Sequence, residues 1–397
     1  MTNDSVISYK SKYCAICNND LDIILEMPSF PLTGIYVDNF KTDKFKPVDQ
    51  SLLFCGNCQH SQLLNHLNPG YLYHETYSHR SSKSSIATRG NDFFIKYLES
   101  VIDKELFDIV LEVGCNDLYM LKKLNKIGKK LYGIDPIWKD NEPKTEDSIS
   151  VYGKFVEDID LQTDLEGAPD LVVSTHTFEH INEPRVVLEK LVDLAAPGAT
   201  IAIEVPSFDT LVELNRFDQV FHQHIHYYSL SSFKYLIQYL GCEYSSHTYN
   251  YDYWGGTMII VFKKTESKLN NIKKTLSDNE IKQSFDRFQN QLQCFMRLVE
   301  SQKNYNPIYG FGAAQMLPTI AYHLDSDLDW CEAILDDDEN RNNKMYPHLP
   351  IEIIKPGKNF SLHSSSVFIG ALDSVRPILN RILTMSPKRV LFPLSIT

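Results

Sequence analysis

The sequence has no apolar run approaching the ~20 residues that a membrane span needs, which excludes membrane insertion through helices. Its first dozen residues, Met1 to Lys12, are polar, so no signal peptide is expected there. Positive charge is in short supply. Lys plus Arg number 39 against 51 Asp plus Glu, a net charge of −12. An acidic chain of this kind is a poor candidate for wrapping a nucleic-acid polymer or an anionic bilayer, although a local basic pocket could still hold a phosphate. Low-complexity tracts, internal repeats and collagen-like or coiled-coil patterns are absent as well. What remains is an ordinary globular composition, 43% hydrophobic and 23% charged over 397 residues, long enough for two to three domains. A cytoplasmic location is expected.

Four of the 8 cysteines fall in two pairs, Cys14-x-x-Cys17 and Cys55-x-x-Cys58. Two such knuckles can bring four thiolates onto one tetrahedral ion and leave no open position, which is the signature of structural zinc. Gly56 suits the second knuckle turn. Unrelated free thiols or a redox dithiol are the other readings. Cys115, Cys242, Cys294 and Cys331 are scattered and read as buried thiols.

After residue 70 the pattern alternates. A segment rich in tyrosine and hydroxyls, 71–82, leads into a helix-like stretch through Leu98. Apolar runs at 109–113, 131–135, 170–174, 200–205 and 257–262 read as strands, and 121–130 and 183–194 read as helices. Strands alternating with helices predict a mostly parallel sheet covered on both faces. Residues 266–303 are polar and free of Gly and Pro, and predict one or two connecting helices. The alternation then restarts at Ile308, giving a second, smaller α/β unit.

Ligands of such sheets sit outside the carboxyl ends of the strands. Three segments fall there. Glu112, Gly114, Asn116 and Asp117 lie where the first strand meets a helix, and Asp135 ends the next strand, placed to take two ribose hydroxyls. The full G-x-G-x-x-G is missing, because Asn116 and Tyr119 stand at the later glycine positions, which argues against a pyrophosphate and hence NAD. His176, Thr177, Phe178 and His180 follow the run 170–174, and His222, Gln223, His224 and His226 form a histidine-rich loop. A loop histidine serving as proton acceptor suits imidazole's near-neutral titration, whereas no nearby acidic residue completes a metal set.

Taken in order, these motifs resemble the bacterial nucleotide-sugar C-methyltransferases of deoxysugar pathways, which use S-adenosylmethionine (SAM). The resemblance covers nearly the whole chain. It implies an α/β protein with a class I methyltransferase doubly wound sheet, a small N-terminal zinc-binding domain and a C-terminal Rossmann-like domain, here 1–70, 71–265 and 266–397. Glu112, Gly114, Asn116 and Asp117 are similar to the family's SAM loop, with Leu118 in place of its last glycine, and Gly133, Asp135 and Pro136 match its ribose turn. His176, Thr177 and Phe178 fall to the cofactor side. The histidine of an N-x-x-x-H motif is His180, without the asparagine. Glu204 and Pro206, and Tyr73, Tyr77 and Ser81-Ser82, match further family segments. Gly310, Gly312, Ala313, Asp336, Asp337, Tyr346 and Pro347 look like the C-terminal elements that hold the nucleotide end of the substrate.

The family's Y-H-E-H base segment is Phe221-His222-Gln223-His224 here. His224 takes the base position, while the tyrosine and glutamate are replaced. The resemblance implies that His224 removes a C–H proton beside a ketone of a nucleotide-linked sugar, with His222, Gln223, Tyr73 or Tyr77 stabilising the enolate. Tyr77, His180 and Glu204 would touch substrate. O-methylation of a sugar hydroxyl needs only the base and stays open. A non-catalytic SAM- or nucleotide-binding subunit and a dehydrogenase are the remaining readings.

Overall fold

The computed structural model describes residues 6–38, 45–68, 71, 82, 84–139, 144–146, 148–265 and 272–395. Four of the five expected runs become parallel strands, Phe107–Val113, Gly128–Ile134, Leu171–Thr175 and Thr200–Pro206, joined by Ile149–Tyr152, which the sequence pattern did not mark. Strands covered on both faces lose the alternation of polar and apolar residues, which is why these runs are nearly continuous. Thr257–Lys263 lies antiparallel beside Thr200–Pro206, and Glu243–Asn250 lies antiparallel outside it. Lys144–Glu146 closes the opposite edge of this eight-stranded sheet. Neighbouring side chains go to opposite faces. Val110, Leu171, Val173 and Ala202 meet Phe94 and Leu98 of the helix Ser85–Val101 and Met120, Leu121 and Leu124 of Tyr119–Leu124. Leu111, Val113, Val172 and Ile201 meet Val187, Leu188 and Leu191 of Pro184–Leu194 and Phe233 and Leu236 of Leu230–Tyr239. The sheet is doubly wound, as expected.

Two element lengths differ from expectation. The helix expected over 121–130 is only Tyr119–Leu124, and the next strand already begins at Gly128. There a Cβ would stand 2.6 Å from the Val110 side chain, so the chain enters the sheet where only glycine fits. The polar stretch yields a single described helix, Asp278–Gln302, whose Ser277 hydroxyl accepts from the Glu280 amide; residues 266–271 lie outside the described set.

The N-terminal strands Asp22–Phe30, Val48–Phe54 and Ser61–Leu63 form an antiparallel sheet whose fourth strand comes from far along the chain. It is His226–Tyr227, paired with Gln62 and Ser61. The N-terminal sheet is therefore completed by the histidine-rich loop of the core. The C-terminal sheet runs Lys344–Tyr346, Leu349–Ile354, Ile334–Leu335, Ile308–Phe311, Ser366–Ile369, Arg389–Leu391, parallel except for its first strand. The long helix joins the units. Ile281, Phe288 and Leu292 pack with Met27, Phe30, Phe208 and Phe217, while Phe295 and Val299 enter the C-terminal core. A buried ion network adds a polar latch: Arg216 grips Asp218 through two bonds of 2.8 Å and reaches Asp373 at 2.9 Å. Among the described residues no helix is long and apolar enough to cross a membrane.

Candidate functional site

The first strand delivers Gly114 in the left-handed region, φ +78°. A Cβ there would fall 2.0 Å from Thr177 Oγ1, so glycine is needed to let the two loops touch. Asn116 (φ +42°) and Leu118 (φ +66°) continue in the left-handed region. A leucine in that conformation costs roughly 1 kcal/mol, and Leu118 stands where the resembled family carries glycine. Strain held at the carboxyl edge of a sheet marks a built loop. Asp135 fixes it from the second strand, accepting from the Asn116 amide at 2.9 Å and the Ile137 amide at 3.0 Å. Pro136 opens the short turn that Asp135 caps, and the Trp138 indole N–H donates to the Asn116 carbonyl at 2.7 Å.

Two carboxyl oxygens in this loop are buried without a hydrogen-bond partner, Glu112 Oε2 and Asp117 Oδ1. The other Asp117 oxygen accepts from the Ser82 amide at 2.9 Å. Burial, and then the charge of Asp135, push the Glu112 carboxyl well above its ordinary range. Buried polar atoms left unpaired signal a missing polar partner. A ligand carrying an ammonium and ribose hydroxyls, as SAM does, suits this acceptor-rich cradle. A pyrophosphate does not, because the Asn116 amide it would need is spent on Asp135.

Beside the cradle lies a second polar cluster: His176, Glu179, His180, Glu204 and His224. His176, φ +49°, donates its amide to the Glu204 carbonyl at 3.1 Å. Glu179 is fully buried on the turn Phe178–His180. Its Oε1 lies 3.2 Å from His176 Nδ1, 3.9 Å from His180 Nε2 and 4.0 Å from His224 Nε2. Its Oε2 has no partner. Burial would raise this carboxyl, but the His176 bond and the fields of His180, His176 and His224 bring it down to about 2. Burial pushes His176 down, yet its bond to Glu179 and the charges of Glu179 and Glu204 leave it raised. Burial and neighbouring His180 hold His224 well below the usual imidazole range, with Glu179 pulling the other way. His180 Nδ1 sits 2.7 Å from the Gln223 carbonyl, which assigns a proton to Nδ1. Glu204 accepts from the Thr257 hydroxyl at 2.6 Å, leaves Oε2 unpaired, and is pushed up to about 7 by burial. The Tyr253 ring lies 4.8 Å from the His176 ring and packs where a Gly90 Cβ would be.

The ligand atoms of Glu179, His180 and His224 lie within 4.8 Å of one another, spaced more widely than the donors of a tetrahedral zinc. Donors about 2.1 Å from a tetrahedral centre stand about 3.4 Å apart, whereas two contacts here measure 3.9 and 4.0 Å and Oε1 already faces His176. The cluster reads as a buried carboxylate bonded to His176 and faced by two further imidazoles.

Several expected site residues point elsewhere. His222 is fully buried under the N-terminal sheet, its Nδ1 3.2 Å from Gln50 Nε2 and its Nε2 3.2 Å from the Phe30 carbonyl. Burial depresses it to about 4. Gln223 accepts from the Thr33 hydroxyl at 2.9 Å and donates to the Thr33 carbonyl at 2.8 Å. Neither side chain faces the cluster, which corrects their expected catalytic role: both lock the loop to the N-terminal unit. Phe178 is completely buried in the core, so its ring is unavailable to a cofactor; Thr177 reaches the edge through its contact with Gly114. Tyr73 and Tyr77 lie outside the described residues.

The C-terminal loop is corrected in the same way. Gly310 sits inside a strand, with Ile334 and Phe368 against it, and Gly312 turns at φ +91°. Asp336 accepts from the Ala313 amide at 2.6 Å and pairs with Arg341 at 3.2 Å. Tyr346, 1% exposed, donates to the Ala314 carbonyl at 2.8 Å. Both side chains brace the loop from behind and are not presented to a ligand. The following acidic residues are also engaged, Asp337 with Arg381, Asp338 as a helix cap and Glu339 with Lys355.

The four paired cysteines converge. Cys14 and Cys58 sulfurs lie 3.5 Å apart, Cys17 and Cys55 3.3 Å, and all four sit within 4.8 Å of one another. Sulfurs 2.3 Å from a tetrahedral zinc stand about 3.8 Å apart, so the set fits that ion. The left-handed residues of the knuckles are Asn18 and Gln59, not Gly56 as the sequence suggested. Of the scattered cysteines, Cys294 is exposed, contrary to expectation, and the other three are buried.

Glu179 is the residue that sequence reasoning missed. The only local signal was the Glu179-His180 dipeptide three residues after His176. Its meaning depends on His224, 45 positions later, arriving at the same oxygen.

A family profile described as a methyltransferase domain matches residues 89–247. The curated C-methyltransferase NovU of Streptomyces niveus is 25% identical over 238 residues, covering 55% of this chain and 53% of its own length. The chain thus spans about half the length of that relative. Among solved structures, the N-methyltransferase NodS from Bradyrhizobium japonicum in complex with S-adenosyl-L-homocysteine aligns over 45% of this chain and 88% of its own (14% identity, TM-score 0.34). The magnesium protoporphyrin IX methyltransferase of Synechocystis with bound SAM covers 49% and 88% respectively (12% identity, TM-score 0.34).

Proposed function

We propose, starting from a methyltransferase domain at the centre of the chain, that the protein transfers a methyl group from SAM to a carbon beside the keto group of a nucleotide-linked deoxysugar. The observation that carries the reading is the buried Glu179–His180–His224 cluster beside the Gly114–Asp135 cradle. The 25% identity to a C-methyltransferase supports the choice of carbon. SAM supplies an electrophilic methyl group when bound. Glu112, Gly114, Asn116, Asp117 and Asp135 would hold it, with Asp135 on the ribose side, and Thr177 would close the loop above the glycine.

His224 is the base. Burial and the charge of His180 favour its neutral form, which can accept a proton from substrate. Proton removal leaves negative charge on the sugar oxygen, which needs a donor aimed at it. Glu204, protonated over much of the neutral range, is the available donor, and His180 lines the same edge. The Rossmann-like C-terminal unit would hold the nucleotide at the carboxyl end of the strand Ile308–Phe311, since Asp336 and Tyr346 are spent behind the loop that follows it. The four cysteines would bind one structural zinc, within a division of the chain at about residues 70 and 265.

One observation favours O-methylation as a second reading. Gln223, where the resembled family has its glutamate, faces Thr33, so the loop offers no second stabilising side chain. Deprotonating a hydroxyl makes no such demand. SAM carrying a carbon-13 methyl, offered with keto and hydroxyl nucleotide sugars, separates the two by carbon NMR. A carbon-bound methyl arising only from keto sugars supports the first reading, and a methoxy signal replaces it with the second. His224→Ala is expected to lower turnover at least ~100-fold.

A further inference from the structure

Three imidazoles face one oxygen of a buried carboxylate, and the base alone does not explain this convergence. Glu179 is 0% exposed and takes no part in binding described so far. His176 is within hydrogen-bond range of its Oε1 at 3.2 Å. His224 is not: its Nε2 stands 4.0 Å away, close enough for strong charge interaction and too far for a bond. His180, with Nδ1 held at the Gln223 carbonyl, places its Nε2 3.9 Å from the same oxygen. A neutral imidazole gains little from that arrangement. An imidazolium gains a great deal.

We propose that Glu179 is a positioning residue whose fixed negative charge makes buried His224 basic enough to take the substrate proton. This rests on the reading of His224 as the base. In the step itself the substrate C–H bond breaks, its electron pair stays on the sugar as the enolate, and the proton moves to His224. The new positive charge faces Glu179, which takes up no proton. Burial and the flanking His180 and His176 all disfavour a charged His224, and Glu179 is the opposing influence. The other ionisable neighbours are accounted for. Glu204 faces His176, Tyr253 lies over His176, and Tyr228 packs beneath Glu179 with its hydroxyl donating to the Phe178 carbonyl at 3.0 Å. An opposite charge within about 4–6 Å moves a pKa by 1–3 units, enough to decide whether His224 works near neutral pH.

The test isolates proton removal from methyl transfer. A nucleotide-linked 4-keto-6-deoxyhexose is incubated in D2O with the full-length protein and S-adenosylhomocysteine, which has no methyl to give, and deuterium uptake beside the ketone is followed by proton NMR. Glu179→Gln is expected to slow exchange at least ~100-fold at pH 7 while the substrate KM stays within about threefold. The acid limb of its pH profile should move about one unit or more to lower pH, because a less basic His224 loses its proton earlier. Glu179→Asp keeps the charge slightly farther away and should recover most of the rate. Exchange in Glu179→Gln with an unmoved limb, or equal behaviour of the Gln and Asp variants, overturns the proposal. Should Glu179→Gln not fold, Glu179→Ala takes its place, since an acid limb at the wild-type position in that charge-free variant would equally refute it. Loss of exchange in His224→Ala with an unaffected Glu179→Gln sinks only the role of Glu179. No exchange in the wild type, or exchange in His224→Ala, removes the base and this inference with it.

Discussion

Gly114→Ala tests how tightly the cofactor loop is built. The added Cβ would lie 2.0 Å from Thr177 Oγ1, 3.1 Å from its Cβ and 3.2 Å from its Cγ2. Threonine is stiff at χ1, so the hydroxyl cannot simply swing away. Two penalties add. The left-handed φ of +78° costs an alanine roughly 1 kcal/mol, and relieving the clash costs about 1–3 kcal/mol more. The single variant should therefore lose about 2–4 kcal/mol. Thr177→Ala alone loses only two long hydroxyl contacts, 3.3 Å to the Val113 carbonyl and 3.2 Å to the Thr175 carbonyl, worth about 0.5–1 kcal/mol. It also removes the clashing oxygen, so the double variant should recover about 1–2 kcal/mol of the sum. Urea unfolding followed through Trp138, whose indole bonds to the same loop, measures all four corners. SAM affinity by calorimetry should follow the same order, Gly114→Ala worst and the double variant partly restored. Additivity within about 0.5 kcal/mol would refute the contact as the reason for the glycine.

Three more outcomes follow from the geometry. Purified protein should carry one zinc per chain by metal analysis, and Cys55→Ser should lose it together with thermal stability; full stability in a zinc-free Cys55→Ser variant would exclude a structural ion. Glu204 has a folded pKa near 7 against an ordinary 4.5, so the folded state holds the extra proton, and stability falls as pH rises from about 4.5 through 7. The loss amounts to ~3 kcal/mol, and Glu204→Gln should flatten that part of a melting-temperature profile against pH. Asp373→Asn removes one of two carboxylates gripping buried Arg216 and should cost about 2–3 kcal/mol in chemical unfolding, seen first as faster proteolysis between the core and the C-terminal unit.

What was legible in the sequence was local. The cysteine knuckles, the strand ending at Gly114 and the acidic end of the next strand depend on neighbours a few residues apart, and short spacing carries them. The helix after Leu118 was read too long because its pattern runs on past Asn125, and only the packing of Gly128 against Val110 shows where the sheet reclaims the chain. His222 and His224 look equivalent in sequence. They part company because Phe30 and Gln50, 192 and 172 positions away, take the first under the N-terminal sheet. Asp336 and Tyr346 carry the right chemistry for a ligand, but backbone groups at Ala313 and Ala314 claim them, and no side-chain pattern announces a carbonyl or an amide.

The strand His226–Tyr227 carries a consequence for biosynthesis. Its partner strand ends at Leu63, so 164 further residues must be made before the N-terminal sheet gains its last member. At about 5–20 residues per second the nascent chain displays an unpaired strand edge for roughly 10–30 s. Both cysteine knuckles have left the ribosome by then, but the edge beside them stays open to any other extended chain. Synonymous codons that slow elongation between residues 63 and 227 should therefore lower the soluble yield, although the protein made is identical.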